Sequence, residues 1–206
     1  MSPCKTVAKH PCHSPDSFKN EDAYNVYIDY YKNAVIIMER GVDLESLENT
    51  FILEVFKEIT WTKLLNPSGD VYECIVKEFF AIAFIEDYHL NCWVRGKEFT
   101  ISMELIQELL EILLMTSDTS LHFDERKDKL EPLMQILEGQ LKKNYLHTTD
   151  FSPEMRALAY IMIFNLYLVK NLTTLLLPRT IFLHDLFTHK EINICGHIYH
   201  LFAKCV

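Results

Sequence analysis

Glycine is scarce, with five residues in 206, and proline is little commoner at seven. So few turn formers leave little material for a barrel or sandwich with many tight turns, and little for a loop whose amides close on a phosphate. Long apolar runs are missing too. The run from Ala157 to Phe164 stops at Asn165, and Lys170 follows, whereas a bilayer needs about 20 apolar residues. Positive charge is in deficit: 20 Lys and Arg against 29 Asp and Glu give a net charge of -9 and a pI near 5.4. That balance argues against a whole-domain nucleic-acid surface. The first 20 residues lack the apolar core of a secretory signal, so the six scattered cysteines read as reduced thiols of an intracellular protein. Nucleophile elbows, dinucleotide fingerprints and His-Glu-x-x-His zinc helices are absent as well.

What the chain does have is helix-forming material. Apolar residues make up 49% and charged residues 24%, ordinary values for a globular domain. A chain of this length buries roughly 70% of its unfolded surface. The composition and periodicity predict a mainly α fold: a single multi-helix domain with one short β-hairpin near residues 90–101. Its centre is expected in the stretch Phe151–Phe187, where Ser152, Pro153 and Glu154 mark a helix start by N-cap, first-turn proline and first-turn acid. Leu158, Ile161, Met162, Phe164, Leu166 and Leu168 then cover nearly every side of a helical wheel, the pattern of a buried helix.

Along the chain, residues 1–20 have the composition of a disordered tail, and 21–206 form the helical domain. Tyr24, Tyr27, Ile28, Tyr31, Val35 and Met38 predict a helix from Asn20 to Glu39, capped at Gly41. A second helix is expected over Phe51–Leu64, ended by Asn66-Pro67-Ser68-Gly69-Asp70, and a third over Val71–Phe84. Leu90, Cys92, Val94, Phe99 and Ile101 alternate about Arg95-Gly96-Lys97, which predicts the hairpin. Ser102 caps a helix with the stripe Ile106, Leu109, Leu110 and Leu113, and Leu130–Leu141 is a shorter helix. Pro178 opens a helix to Phe187, and residues 192–196 are read as a link before a last helix over Gly196–Lys204. An isolated hairpin is marginal in water, so this one should dock the helix after it onto the helix beginning at Pro153. In that arrangement Phe164→Ala costs about 3–5 kcal/mol.

Candidate chemistry is thin. Cys195, His197 and His200 fall within six residues, but no C-x2-C pair exists to complete a zinc site, so packed or surface side chains are the reading and no metal or cofactor is expected. Cys4, His10, Cys12 and His13 sit in the expected tail. Glu108 and Glu111 lie on a solvated helix face, and Asp118-Thr119-Ser120 lacks the glycine of an aspartic-protease triplet. Arg126, Lys127 and Lys129 are interleaved with Asp124, Glu125, Asp128 and Glu131. A phosphate site would need Arg95, Lys97, Lys142, Lys143 and Lys170 to converge on one face.

Two blocks carry a resemblance. One runs Val71–Phe84 and on through Cys92–Ile112, with Trp93, Val94, Arg95 and Gly96 leading into a helix; the other runs Phe151–Phe202, with Asn165, Leu166 and Tyr167 followed by Leu177, Pro178 and Arg179. With the GVDLESLENT segment before them, they resemble the putative plant transposon protein domain of retroelement-derived reading frames. The resemblance implies no enzymatic activity and no catalytic residues. It also implies a copy shortened at its C-terminus, because similar proteins continue past the Ile-Tyr-His-Leu helix. The polymerase Tyr-x-Asp-Asp and the Cys-Cys-His-Cys knuckle are not in the sequence. The expected role is therefore that of a non-enzymatic protein-interaction or structural module, binding another protein or itself, with no membrane and no small-molecule substrate. The alternative is a nucleic-acid-binding module inherited from a mobile element.

Overall fold

A computed structural model describes residues 15–37, 41–65, 69–87, 89–112, 145–167 and 173–206. The fold is mainly α, as the sequence predicts, and among the described residues it adds a three-stranded and a two-stranded antiparallel sheet. The expected helix over Leu130–Leu141 and the tail up to residue 14 lie outside the described residues.

The chain enters through Phe18, which is buried against the rings of Tyr24 and Tyr27 at 5.4 and 5.1 Å. Lys19 pairs with Glu98 on the sheet, so residues 15–20 pack onto the folded body instead of trailing from it. Helix α1 (Glu21–Val26) starts where the Asn20 Oδ1 accepts the Ala23 N–H at 2.9 Å, and it passes into a single π-helical turn, Tyr27–Tyr31. The helix expected to reach Glu39 therefore stops early. Tyr24, Tyr27 and Tyr31 have partners to pack on, but Val35 is 75% exposed and gives a further turn nothing to bury.

The second predicted helix divides in two, α2 (Phe51–Glu58) and α3 (Thr62–Leu65). Thr60 takes a φ of +60° at the break, a strain repaid by turning Trp61 inward between Phe56 and Phe182, at 6.4 and 6.2 Å. Helix α4 (Glu73–Ile82) ends before Phe84 because Phe84–Glu86 is a strand, β1, not a last helical turn.

Strands β1, β2 (His89–Val94) and β3 (Lys97–Ile101) form a meander, with Ile85 opposite Leu90 and Leu90 opposite Ile101. Val94 faces Lys97 across a two-residue turn. Arg95 and Gly96 both have positive φ, +52° and +79°, as a type I′ turn requires. Leu90, Cys92 and Val94 point to one face and are buried with Phe79 of α4, while Trp93 packs with the N-terminal aromatic group from the other.

Helix α5 (Met103–Leu110) follows, its first turn closed by Ser102 Oγ accepting the Leu105 N–H at 3.2 Å. The sequence gives no strand signal for β4 (Tyr145–His147) or β5 (Thr174–Leu176), each three residues long and paired with the other. Alternation is unreadable over so short a span. They carry Leu146 and Leu175 into the main core.

That core surrounds α6 (Pro153–Met162) and α7 (Leu177–Phe187). Ser152 caps α6 through the Met155 N–H at 3.3 Å, and the helix continues as a π-helical turn over Ile163–Tyr167. The extra residue in that turn rotates the side chains beyond it. Met162 and Ile163 stay buried, but Phe164 is half-buried beside Tyr160, so the full burial expected of it is not met. The most enclosed helix is α7, in which Thr180 to Leu186 are all buried.

Helix α8 (Ile194–Cys205) begins two residues before the expected start, because Asn193 Oδ1 accepts the Gly196 N–H at 2.8 Å and turns the supposed link into helix. Helix α5 packs chiefly on α8, not on α6 as the hairpin argument expects. Helix α4 holds α8 in place by aromatic contact, with Phe79 and Phe80 at 6.1 and 6.5 Å from Phe202.

A candidate protein-docking groove

The two stretches that carry the resemblance take up separate positions. The hairpin stretch carries a half-buried ion pair. Glu78 on α4 is fully buried, Arg95 Nε lies 3.1 Å from its Oε2, and Arg95 Nη2 reaches Cys74 Sγ at 3.5 Å. Burial pushes the Glu78 carboxyl up, and the Arg95 guanidinium pulls it part of the way back. Lys77, also buried, donates to the Lys32 carbonyl and pairs with Glu73. Arg95 is thus engaged in holding the turn to α4, and only Lys97 of the suggested basic group stands on an exposed strand position. Lys142, Lys143 and Lys170 lie outside the described residues.

The second stretch builds an aromatic brace. The π-helical turn sets Tyr167 against Phe182 and His197, at 6.0 and 5.5 Å, and Arg179 lays its guanidinium 4.8 Å over the same ring. Pro178 stands in the first turn of α7, where its missing N–H removes no hydrogen bond. His197 lies tilted on Phe182 at 4.8 Å and Cys195 is buried in the core. Burial, followed by the nearby Glu104 carboxylate, raises the Cys195 thiol. Among the described residues no group of three His, Cys, Asp or Glu is arranged to hold a metal ion.

Beside this brace lies a groove of about 580 Å³. Its walls are Ile106, Leu109 and Leu110 of α5 and Ile198, Leu201 and Phe202 of α8. Asn165, Leu166 and Tyr167 close one side, and its cations are Arg179 and Lys204. The walls are open in part, since Ile106 is buried in the core but its neighbours are not. Burial along α8 falls from full at Ile194–His197 to half at Ile198–Ala203, and Leu109 on the facing helix is 66% exposed. Four of the ten residues singled out by the resemblance line this groove, and the sequence gives no sign that they meet Leu109 and Leu201, residues more than twenty positions away in sequence. A second cavity, about 330 Å³ between Lys32 and Lys77, is smaller and more polar in its lining residues.

Glu78 and Cys92 are shifted by burial, the latter up to about 11, and Glu104 is lowered by its hydrogen bond from Ser102 at an exposed helix start. No helix of the described residues is long and apolar enough to cross a membrane.

Comparison with known proteins gives one family. Neither the curated proteins nor the solved structures contain a match to the chain. A family model matches residues 57–206, which span α3 to α8 and both stretches described above: the chain belongs to the putative plant retrotransposon-related domain family.

Proposed function

We propose that this retroelement-derived domain is a non-enzymatic protein-interaction module, and that its groove receives one amphipathic helix with leucine-type side chains on one face and carboxylates on its flanks. The observation that carries the reading is the groove: two helices and a π-helical turn leave apolar side chains open to water where a helix can lie between them. Charge selects the occupant. Arg179 and Lys204 are the charged residues among those lining the groove, so acidic flanks are complementary and basic ones are repelled.

The test uses two 18-residue side-chain-stapled helical peptides, each with leucine at i, i+3, i+4 and i+7, one flanked by glutamates and the other by lysines. Stapling matters because a free helix of that length is marginal in water. The acidic peptide is expected to bind at micromolar concentration and the basic one at least about tenfold more weakly. Leu109→Glu, at an exposed position, should weaken the acidic peptide further. Absence of saturable binding by either peptide, or equal binding of both, overturns the reading.

A further inference from the structure

We propose that the helix received by the groove is α5 of a second copy of the chain, so that the domain is a two-fold symmetric dimer; this rests on the interaction reading above and names its partner. Helix α5 already has the ligand chemistry that the groove selects. Leu109 is 66% exposed and Leu110 half-buried, with Glu104 and Glu108 exposed around them, while Glu111 at the C-cap is already paired with Lys63 at 2.6 Å. The lengths also match. The groove face of α8 runs from Ile198 to Cys205, the same eight-residue span as α5 from Met103 to Leu110, roughly 12 Å in each case at 1.5 Å per residue.

Position decides between a closed pair and an open chain. Because α5 is itself a wall of the groove, a two-fold axis passing beside Leu109 sets each α5 against the other copy's α8 in the same step. Such an isologous contact closes on itself and leaves no groove vacant to extend a filament. It brings the α5 carboxylates toward Arg179 and Lys204 of the other copy, while Leu109 of each leaves water. Opposing it is the net charge of -9 on each chain, a repulsion that salt near 0.15 M screens beyond about 8 Å.

Sedimentation of the full chain from 1 to 100 µM at that salt should show a monomer–dimer equilibrium. Leu109→Glu should raise the dissociation constant at least about tenfold, and its position on the surface predicts a melting temperature close to that of the parent. Glu108→Lys and Lys204→Glu should each weaken the dimer, and together restore it to within about threefold of the parent, a result that general destabilisation does not give. In a Cys205→Ser background, Leu109→Cys should form an interchain disulfide. A chain that stays monomeric at 100 µM but still binds the acidic peptide refutes the dimer and leaves the interaction reading standing. A dimer indifferent to Leu109→Glu and to the charge exchange refutes α5 as the contact. A monomer that binds neither peptide refutes both.

Discussion

Replacing Arg95 by glutamine should destabilise the domain far more than replacing its partner Glu78 by glutamine. The carboxylate is fully buried and the guanidinium side chain is 42% exposed. Removing the arginine takes a positive charge away from a buried carboxylate, and breaking such a pair costs about 3–5 kcal/mol when both partners are enclosed. Water reaches Arg95 and screens part of the attraction, so about 2 kcal/mol is the reasoned figure here. That corresponds to roughly 4–8 °C in melting temperature for a domain of this size. Removing Glu78 instead lets Arg95 swing into solvent, and the loss should stay under about 1 kcal/mol. Glutamine is the right probe, because glycine at a φ of +52° would add its own relief of strain. The pH dependence follows from the direction of the Glu78 shift. Its folded pKa lies above the ordinary carboxylate value, so the ionised form is the one penalised by folding, and the penalty disappears as pH falls through the folded pKa. Without Arg95 that pKa rises further. The destabilisation by Arg95→Gln should therefore shrink between pH 7.5 and pH 5, read as a difference between variants in urea unfolding. Equal losses for the two single variants, or an Arg95→Gln loss that does not change over that range, would refute the argument.

Phe182→Ala should cost about 3–5 kcal/mol, since the ring is fully buried between Trp61, Tyr167 and His197; Phe164→Ala, at a half-buried site, should cost under half of that in the same thermal melt. Ser102→Ala should cost about 1 kcal/mol by removing the α5 cap, a loss that Ser102→Asp restores and that chemical denaturation can resolve. In the native protein at pH 8, Cys92, buried and with its thiol pushed up to about 11, should resist maleimide while exposed Cys205 reacts; mass spectrometry showing comparable labelling of the two would contradict the burial.

The helices and the hairpin were legible in the sequence where the signal is local. Ser152-Pro153-Glu154 marks the start of α6, Ser102 that of α5, and Arg95-Gly96 the turn, because caps and two-residue turns depend on neighbours in the chain. What failed depended on contacts far away in sequence. Trp61 breaks its helix because its ring has a site against Phe182, and β4 exists because Thr174–Leu176 lies beside it, 27 or more residues later. Phe164 was misplaced because apolar residues cover nearly every side of the wheel there, so the wheel does not say which one faces outward, and because it falls inside a π-helical turn, where the 3.6-residue period does not hold. The groove was illegible for the same reason. Each half of it reads as an ordinary amphipathic stripe, and its openness appears only when α5 is found on α8 instead of on α6.

That relocation of α5 also explains why two recognisable stretches so far apart belong to one domain. Arg95 holds the turn to Glu78 on α4, and the same helix presents Phe79 and Phe80 to Phe202 on α8. Tyr167 and Arg179 secure the opposite side of α8 through His197. The helix that forms one wall of the groove is thus gripped from both sides, by the hairpin stretch through α4 and by the aromatic brace through its first turn. Between them the half-buried stretch Ile198–Ala203 is held at a fixed angle to α5 even though it is not itself enclosed. A pair of helices braced in this way would have little ordering left to do on binding a third, which is what the proposed interaction requires.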